Sequence, residues 1–271
     1  MTRLPATYLF VPGNRSDRFH NALHSGTDAV VLDLEDAVTP EDKPAARDAI
    51  RNWYVPEHER VAQVVIRIND ETTAWFEDDL MVVRATGVLT VMLPKVETPA
   101  QIQRILAALP DGGTVVPIIE SARGALNCES IAAAKGVHRL AFGTLDYAVD
   151  LDLPGDDRGL LYTASRMAIA SKAAGVATPI AGVTAALGDD ERLTADLDFA
   201  RACGFGAKLC IHPKQVAVVN AWFAPTVSEI DWAQRVIRAA EGNQGAFQLD
   251  GKMVDRPVIL KARNVLDRAR N

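Results

Sequence analysis

Thr114-Val115-Val116-Pro117-Ile118-Ile119 runs into Glu120-Ser121. One helical stretch later, Arg139-Leu140-Ala141-Phe142 runs into Gly143-Thr144-Leu145-Asp146. Each is a short apolar run that stops at a carboxylate. Gly136 falls between the helical stretch and the second run, where a left-handed helix cap is expected. The segment reads as one β–α–β unit, and the same unit repeats on both sides of it. Apolar runs at 7–11, 29–32, 64–66 and 89–93 precede it, and runs at 178–181 and 207–211 follow. They end at Pro12-Gly13-Asn14, Asp33-Leu34-Glu35-Asp36, Arg67-Ile68-Asn69, Pro94-Lys95, Gly182 and His212-Pro213. Eight strands alternating with eight helices predict an α/β fold, a (β/α)8 TIM barrel. In that fold the site lies at the strand C-termini.

Helix signals fit this order. Asn14 and Ser16 are expected to open the first helix, Thr39-Pro40-Glu41-Asp42 the second and Thr98-Pro99 the fourth. Gly87, Gly175 and Gly204 stand, like Gly136, where a helix gives way to a strand. Residues 146–160 form a long connection after the sixth strand, with Pro154-Gly155-Asp156-Asp157, and read as a pocket rim or lid. Pro213 to Phe223 completes the eighth helix, and Ala224-Pro225 breaks it. A helix over 228–242, an extended piece over 247–254 and a last helix from Asp255-Arg256-Pro257 follow, which a barrel does not need. The expected division is 1–225, a catalytic barrel, and 226–271, a segment that caps a site or reaches a neighbouring subunit.

The chain has 271 residues, 48% hydrophobic and 24% charged, with a formal net charge of −6. That composition suits a soluble globular protein and argues against general nucleic-acid binding, which needs a basic stripe. It leaves room for a small polyanion held by a few arginines. No apolar run approaches the length needed to span a bilayer, so no membrane partner is expected. Met1-Thr2-Arg3-Leu4-Pro5 leads straight into the first strand and shows no signal peptide. Cys128, Cys203 and Cys210 lack metal-site spacing and read as buried thiols, which suits the cytoplasm.

Glu120 and Asp146 end expected neighbouring strands. Two carboxylates with no histidine or cysteine beside them make a hard, oxygen-only site of the kind Mg2+ takes. The plainer alternative, that each caps a helix or pairs with an arginine, is weakened by their occurrence on adjacent strands. Arg67 at a strand tip can hold a carboxylate in two bonds and stabilise an oxyanion. It can equally pair with the acids of 33–36, and the two roles are compatible. Asp33, Glu35 and Asp36 are unevenly spaced, so some of them must support the site rather than face it. Lys95 reads as an ion-paired lysine rather than a Schiff-base lysine. His212 reads as a hydrogen-bonded structural histidine rather than a base. His20 and His24 share a helix face without a third ligand and read as surface residues. Arg15 and Arg18 at the first helix start offer an anion site for nucleotide phosphates, although Arg18 also reads as a solvated charge. No P-loop and no GxGxxG motif occurs.

Seven motifs then stand in one order. They are Leu9-Phe10-Val11-Pro12-Gly13-Asn14, Asp33-Leu34-Glu35-Asp36-Ala37-Val38, Val65-Ile66-Arg67-Ile68-Asn69, Met92-Leu93-Pro94-Lys95, Ile119-Glu120-Ser121-Ala122-Arg123-Gly124, Phe142-Gly143-Thr144-Leu145-Asp146 and Lys208-Leu209-Cys210-Ile211-His212-Pro213. Together they resemble the citrate lyase beta-subunit-like family of the HpcH/HpaI aldolase superfamily. The resemblance implies a Mg2+-dependent barrel that cleaves a carbon–carbon bond in a 3-hydroxyacyl-CoA thioester of citramalyl, malyl or citryl type. It implies Glu120 and Asp146 as metal carboxylates and Arg67 as the arginine on the substrate's keto-acid part. Phe10, Ile211 and His212 match positions lining the thioester site, and Arg15 and Arg18 are the candidates for coenzyme A phosphates. Glu35, Asp36 and Lys95 stand as supporting residues. Gly251-Lys252-Met253-Val254-Asp255 resembles the family's C-terminal motif, whose aspartate enters an adjacent subunit's site in a trimer, so Asp255 is implied as the acid/base. Leu145 departs from the family pattern, where many relatives carry an acid.

Two other enzyme readings remain open at this point: a metal-dependent aldolase on free hydroxy-oxo acids, and a citrate lyase beta subunit acting on citryl-acyl-carrier protein. A non-catalytic ligand-binding barrel is disfavoured by the presence of Glu120, Asp146, Arg67 and Asp255 together.

Overall fold

The structure, a computed structural model, describes residues 4–155, 157–242 and 245–270. Asp156 of the expected rim and Met1-Thr2-Arg3 lie outside the described residues. The described chain packs as two units, Leu4–Asn220 and a second one from Ala221.

The larger unit is a closed barrel of eight parallel strands in chain order, with β1 pairing both β2 and β8. Its strands are β1 (Thr7–Pro12), β2 (Ala29–Asp33), β3 (Gln63–Arg67), β4 (Thr90–Leu93), β5 (Thr114–Ile119), β6 (Arg139–Phe142), β7 (Ala177–Ala181) and β8 (Ala207–Cys210). The intervening helices are α1 (Ser16–Leu23), α2 (Lys43–Trp53), α3 (Phe76–Thr86), α4 (Pro99–Leu106), α5 (Ala122–Ala132), α6 (Thr144–Asp150), α7 (Arg158–Ala174), α8 (Asp190–Ala202) and α9 (Pro213–Phe223). Most strand residues are buried, because helices cover the outer face while side chains fill the lumen. Tyr8, Val31, Met92, Ile118 and Leu209 belong to that inner core.

Two helix ends show why the chain turns where it does. Gly87 after α3 and Gly175 after α7 adopt φ of 68° and 71°, the left-handed region that residues with a Cβ avoid. Other expectations need correction. Asn14 does not cap α1; its amide crosses to Asp42 Oδ2 at 2.9 Å, and Arg15 stands at the cap position without a side-chain capping bond. Residues 146–160 are not simply a long connection, because α6 begins already at Thr144. The last barrel strand stops at Cys210, so Ile211 and His212 lie in the turn beyond it.

The far end of the barrel is closed by a buried cation. Arg139 is 1% exposed. Its guanidinium donates to Thr178 O, to Thr178 Oγ1 and to Pro5 O, and it lies over the Tyr8 ring. These acceptors offset a desolvation cost of several kcal/mol for a buried charge.

The second unit contains α10 (Val227–Glu241), a hairpin of β9 (Phe247–Leu249) and β10 (Lys252–Val254), and α11 (Arg256–Arg270). It takes in the last turn of α9, from Ala221. Thr226 and Glu229 form a capping box at the start of α10. Asp250 and Gly251, with φ of 51° and 74°, supply the tight hairpin turn. Ala233, Val236, Val254, Ala262 and Val265 form the unit's own core.

Candidate active site

The strand tips from β2 to β5 carry a connected arc of charges. Asp33, the last residue of β2, pairs in register with Arg67, the last residue of β3. The two form a fork, Nε to Oδ1 and Nη2 to Oδ2, each at 2.7 Å. Asp33 also accepts the N–H groups of Glu35 and Ala37, which fixes the loop after β2. Arg67 Nη1 lies 2.8 Å from Glu35 Oε2, and the Phe10 ring lies 4.6 Å from the guanidinium carbon. Burial works against this cation, but Asp33, Glu35 and Asp36 together hold it charged well above the ordinary arginine range.

Glu35 continues the arc. It is buried, and its Oε1 accepts a 2.6 Å bond from Lys95 Nζ. Burial raises the Glu35 carboxyl, against the pull of Arg67 and Lys95. Lys95 is raised beyond the usual lysine range; burial opposes its charge, and Glu35 and Glu120 outweigh that. The backbone N–H of Lys95 then donates to Glu120 Oε1 at 2.7 Å. Asp36 is exposed and lies 3.8 Å from Arg67 Nη1, outside the main arc.

Glu120, just past β5, is 6% exposed. Its carboxyl is pushed up to about 8, first by burial and then by the negative charges of Glu35 and Asp146. Ser121, not Glu120, caps α5 by accepting the Gly124 N–H. The second oxygen of Glu120 points at β6: a Cβ on Gly143 would stand 2.2 Å from Oε2. Only glycine admits so close an approach.

Asp146 lies in the first turn of α6 rather than at the strand tip, and its side chain is exposed. An acid there also suits the positive end of the helix. Among the described residues no group of three or more His, Cys, Asp or Glu is arranged to hold a metal. The donor chemistry fits a harder ion with fewer protein ligands. Glu120 presents a largely buried carboxyl beside Gly143, with a second carboxylate nearby, and Mg2+ takes one or two carboxylates and keeps its waters.

The remaining predicted residues are spread more widely. Phe10 packs on the inner core at the β1 end. Ile211 is 37% exposed. The His212 ring accepts the Lys214 N–H at Nδ1, in keeping with a structural role. Arg15 is paired with Asp17, and Arg18 is exposed. Asp255 belongs to the other unit, where its Oδ1 accepts the Val258 N–H and so caps α11.

Three features were missed from sequence. Lys208 is buried on β8, with Nζ donating to Gly182 O at 2.6 Å and burial lowering its pKa. Its signal was a lysine inside an apolar run. Gly143 is placed by the shape of Glu120. Finally, a cavity of about 470 Å3, lined by Leu145, Ala148, Leu160, Val183, Phe199 and Lys208 among others, opens beside the β6–β8 tips. No sequence pattern announces it.

The sequence profile of the HpcH/HpaI aldolase/citrate lyase family matches residues 6–213. The chain belongs to this family. As a member of a family of aldolases and lyases it is an enzyme. It is 38% identical over 273 residues to the citrate lyase subunit beta-like protein of Deinococcus radiodurans, covering 95% of each chain. It is 32% identical to a (3S)-malyl-CoA thioesterase of Cereibacter sphaeroides, covering 96% of this chain and 93% of the relative. The crystal structure of CitE from Mycobacterium tuberculosis in complex with magnesium, acetoacetate and coenzyme A superposes with a TM-score of 0.86 at 35% identity, covering 98% of both chains. Among the described residues no helix is long and apolar enough to cross a membrane.

Proposed function

We propose that this family member is a Mg2+-dependent carbon–carbon lyase that cleaves a 3-hydroxyacyl-CoA thioester of citramalyl, malyl or citryl type to acetyl-CoA and a 2-oxo acid. The observation that carries the reading is the buried Glu120 carboxyl, pushed up to about 8 and joined through Lys95 and Glu35 to Arg67. A buried acid of raised pKa, joined to a fixed arginine, suits an anionic substrate that arrives with a metal. The M. tuberculosis relative, which holds magnesium, acetoacetate and coenzyme A, supports the same combination here.

Glu120 and Asp146 would hold the ion. When bound, Mg2+ supplies stabilisation of negative charge on substrate oxygens. Arg67 uses the N–H groups left by its fork to Asp33 to grip the substrate's carboxylate. Asp255 of a neighbouring subunit takes the hydroxyl proton. The carbon–carbon bond then breaks, its electrons pass to the thioester as an enolate, and protonation of that enolate gives acetyl-CoA. Phe10, Ile211 and His212 line the thioester, and Arg15 and Arg18 meet its phosphates. The oligomer this requires is a homotrimer or a multiple of one. The C-terminal unit carries two more positive than negative side chains while the whole chain is at −6, and this opposite sign favours docking of one copy's tail on another's barrel.

The thioesterase relative favours a second reading, hydrolysis of the thioester at the same site. One assay separates the two. Purified enzyme is given citramalyl-, malyl- and citryl-CoA with Mg2+ or EDTA, and acetyl-CoA and free CoA are both measured. Mg2+-dependent acetyl-CoA is the expected product; free CoA with intact hydroxy acid would establish hydrolysis instead. Absence of both products would shift the assignment to free hydroxy-oxo acids or a carrier-protein substrate. Asp255→Asn preserves the cap on α11, since asparagine caps as well as aspartate. Its turnover is expected to fall at least about a hundredfold with substrate binding and melting temperature kept, in the range of a lost general base. Near-normal turnover would remove Asp255 from the mechanism.

A further inference from the structure

Lys95 has φ of 52°, the left-handed region, although it is neither glycine nor asparagine. Every side of this backbone is held. Its carbonyl accepts Gln101 Nε2 at 3.3 Å, and the next residue, Val96, donates to Ile118 O at 3.3 Å. Val96 O in turn lies so close to α5 that a Cβ on Gly124 would stand 2.6 Å from it. Strain held in place from several sides points to a use. Two contacts show what that use is. The turned backbone aims the Lys95 N–H at Glu120 Oε1, at 2.7 Å, and the side chain carries Nζ to Glu35 Oε1, at 2.6 Å. Glu35 is the residue whose other oxygen lies 2.8 Å from Arg67.

We propose that Lys95 is a two-armed positioning residue. Its backbone arm fixes Glu120 with Oε1 occupied and Oε2 turned toward Gly143 and α6. Its ammonium arm fixes Glu35 against Arg67. One residue thereby sets both the cation-facing carboxylate and the substrate-gripping arginine, without itself touching the reacting atoms. The assignment of those two functions rests on the lyase reading above; the positions of Glu35 and Glu120 do not.

The arms can be cut separately. Lys95→Asn keeps a residue that tolerates the left-handed backbone and removes the ammonium. Lys95→Val also removes the ammonium and adds a β-branch that disfavours the left-handed turn. For Lys95→Asn the expected result is a KM raised about tenfold, kcat changed less than about threefold, and Mg2+ affinity by calorimetry within about threefold of wild type, as for loss of a contact that serves binding alone. Lys95→Val is expected to lose Mg2+ affinity as well, by about tenfold or more, in the range of a lost outer-shell partner. Crystal structures of both variants should show Glu35 displaced in each and the bond from residue 95 N–H to Glu120 broken only in Lys95→Val. Glu35 unmoved in Lys95→Asn, or Mg2+ affinity lost along with the rise in KM in that variant, would overturn the proposal. If Lys95→Val does not fold, Lys95→Asn alone still decides the ammonium arm and whether the backbone arm stands without it. A wild-type enzyme that binds no Mg2+ and cleaves no thioester would defeat the lyase reading instead, and the two crystal structures would still judge Lys95.

Discussion

On the β2–β5 side of the barrel mouth, Asp33, Glu35, Arg67, Lys95 and Glu120 hold one another at hydrogen-bond or ion-pair distance. On the β6–β8 side, the residues just past the strands are Gly143, Gly182 and Ile211, beside a largely apolar cavity. At both glycines an added Cβ would meet a neighbour, Glu120 Oε2 at 2.2 Å and Thr144 Oγ1 at 2.3 Å. The first side is rigid because each charge is fixed by the next. The second is shaped by what its glycines omit. Polar groups aimed in advance at a developing charge cost no reorganisation during reaction, so the ionic side is where most of the charge stabilisation is to be sought.

The strongest test of that contrast is Glu120→Gln. Glutamine keeps the shape and an acceptor for the Lys95 N–H but removes the charge. Turnover is expected to fall about a thousandfold, the scale of a lost electrostatic group, and calorimetry should show Mg2+ affinity lost with it. Turnover within tenfold of wild type would mean the ionic side is only scaffolding. Arg67→Lys comes next, because lysine keeps the charge but cannot form the fork to Asp33. A fall of about a hundredfold in kcat/KM is expected, carried mainly by KM.

The raised carboxyl of Glu120 also predicts a pH dependence of stability. In the folded enzyme without metal it keeps its proton to about 8, whereas its ordinary value is 4.5. Between those values the unfolded chain binds fewer protons, so stability falls as pH rises from 4.5 and levels off above 8. Urea unfolding at the two ends of that window should show the loss, and Glu120→Gln should reduce it by about 1–4 kcal/mol. An unchanged slope in the variant would place the loss elsewhere. The smallest effect is expected on the other side. Leu145 is 54% exposed, so Leu145→Asp should change stability by no more than about 0.5 kcal/mol and turnover by less than about threefold. A larger change in turnover would mean that Leu145, next to Asp146 on α6, itself tunes the chemistry.

The barrel was legible because its strands are short β-branched runs and its helices end at glycines such as Gly87 and Gly175. The link between Arg67 and the acids after β2 was legible too, since residues at neighbouring strand tips must meet. What escaped was whatever depends on one backbone torsion or on three-dimensional spacing. Nothing in Pro94-Lys95-Val96 signals a left-handed lysine, because the turn is held from outside that stretch, by Gln101 and by the more distant Ile118 and α5. The start of α6 at Thr144 carries no side-chain cap to mark it, so Asp146 read as a strand-end residue. Asn14 read as a cap because the competing acceptor, Asp42, is 28 residues away.

The ionic arc has a consequence for how the chain is made. All its members lie between Asp33 and Glu120, so they occupy one unbroken stretch of the first half of the sequence. A chain is synthesised from its N-terminus, so every member of the arc is made before the strands that complete the barrel. When Glu120 leaves the ribosome, more than half of the 271 residues are still to come, including β8, which must close against β1. The pairs therefore stay within β2 to β5, strands consecutive in both sequence and sheet, and none of them depends on a residue from the half of the barrel that closes β8 on β1.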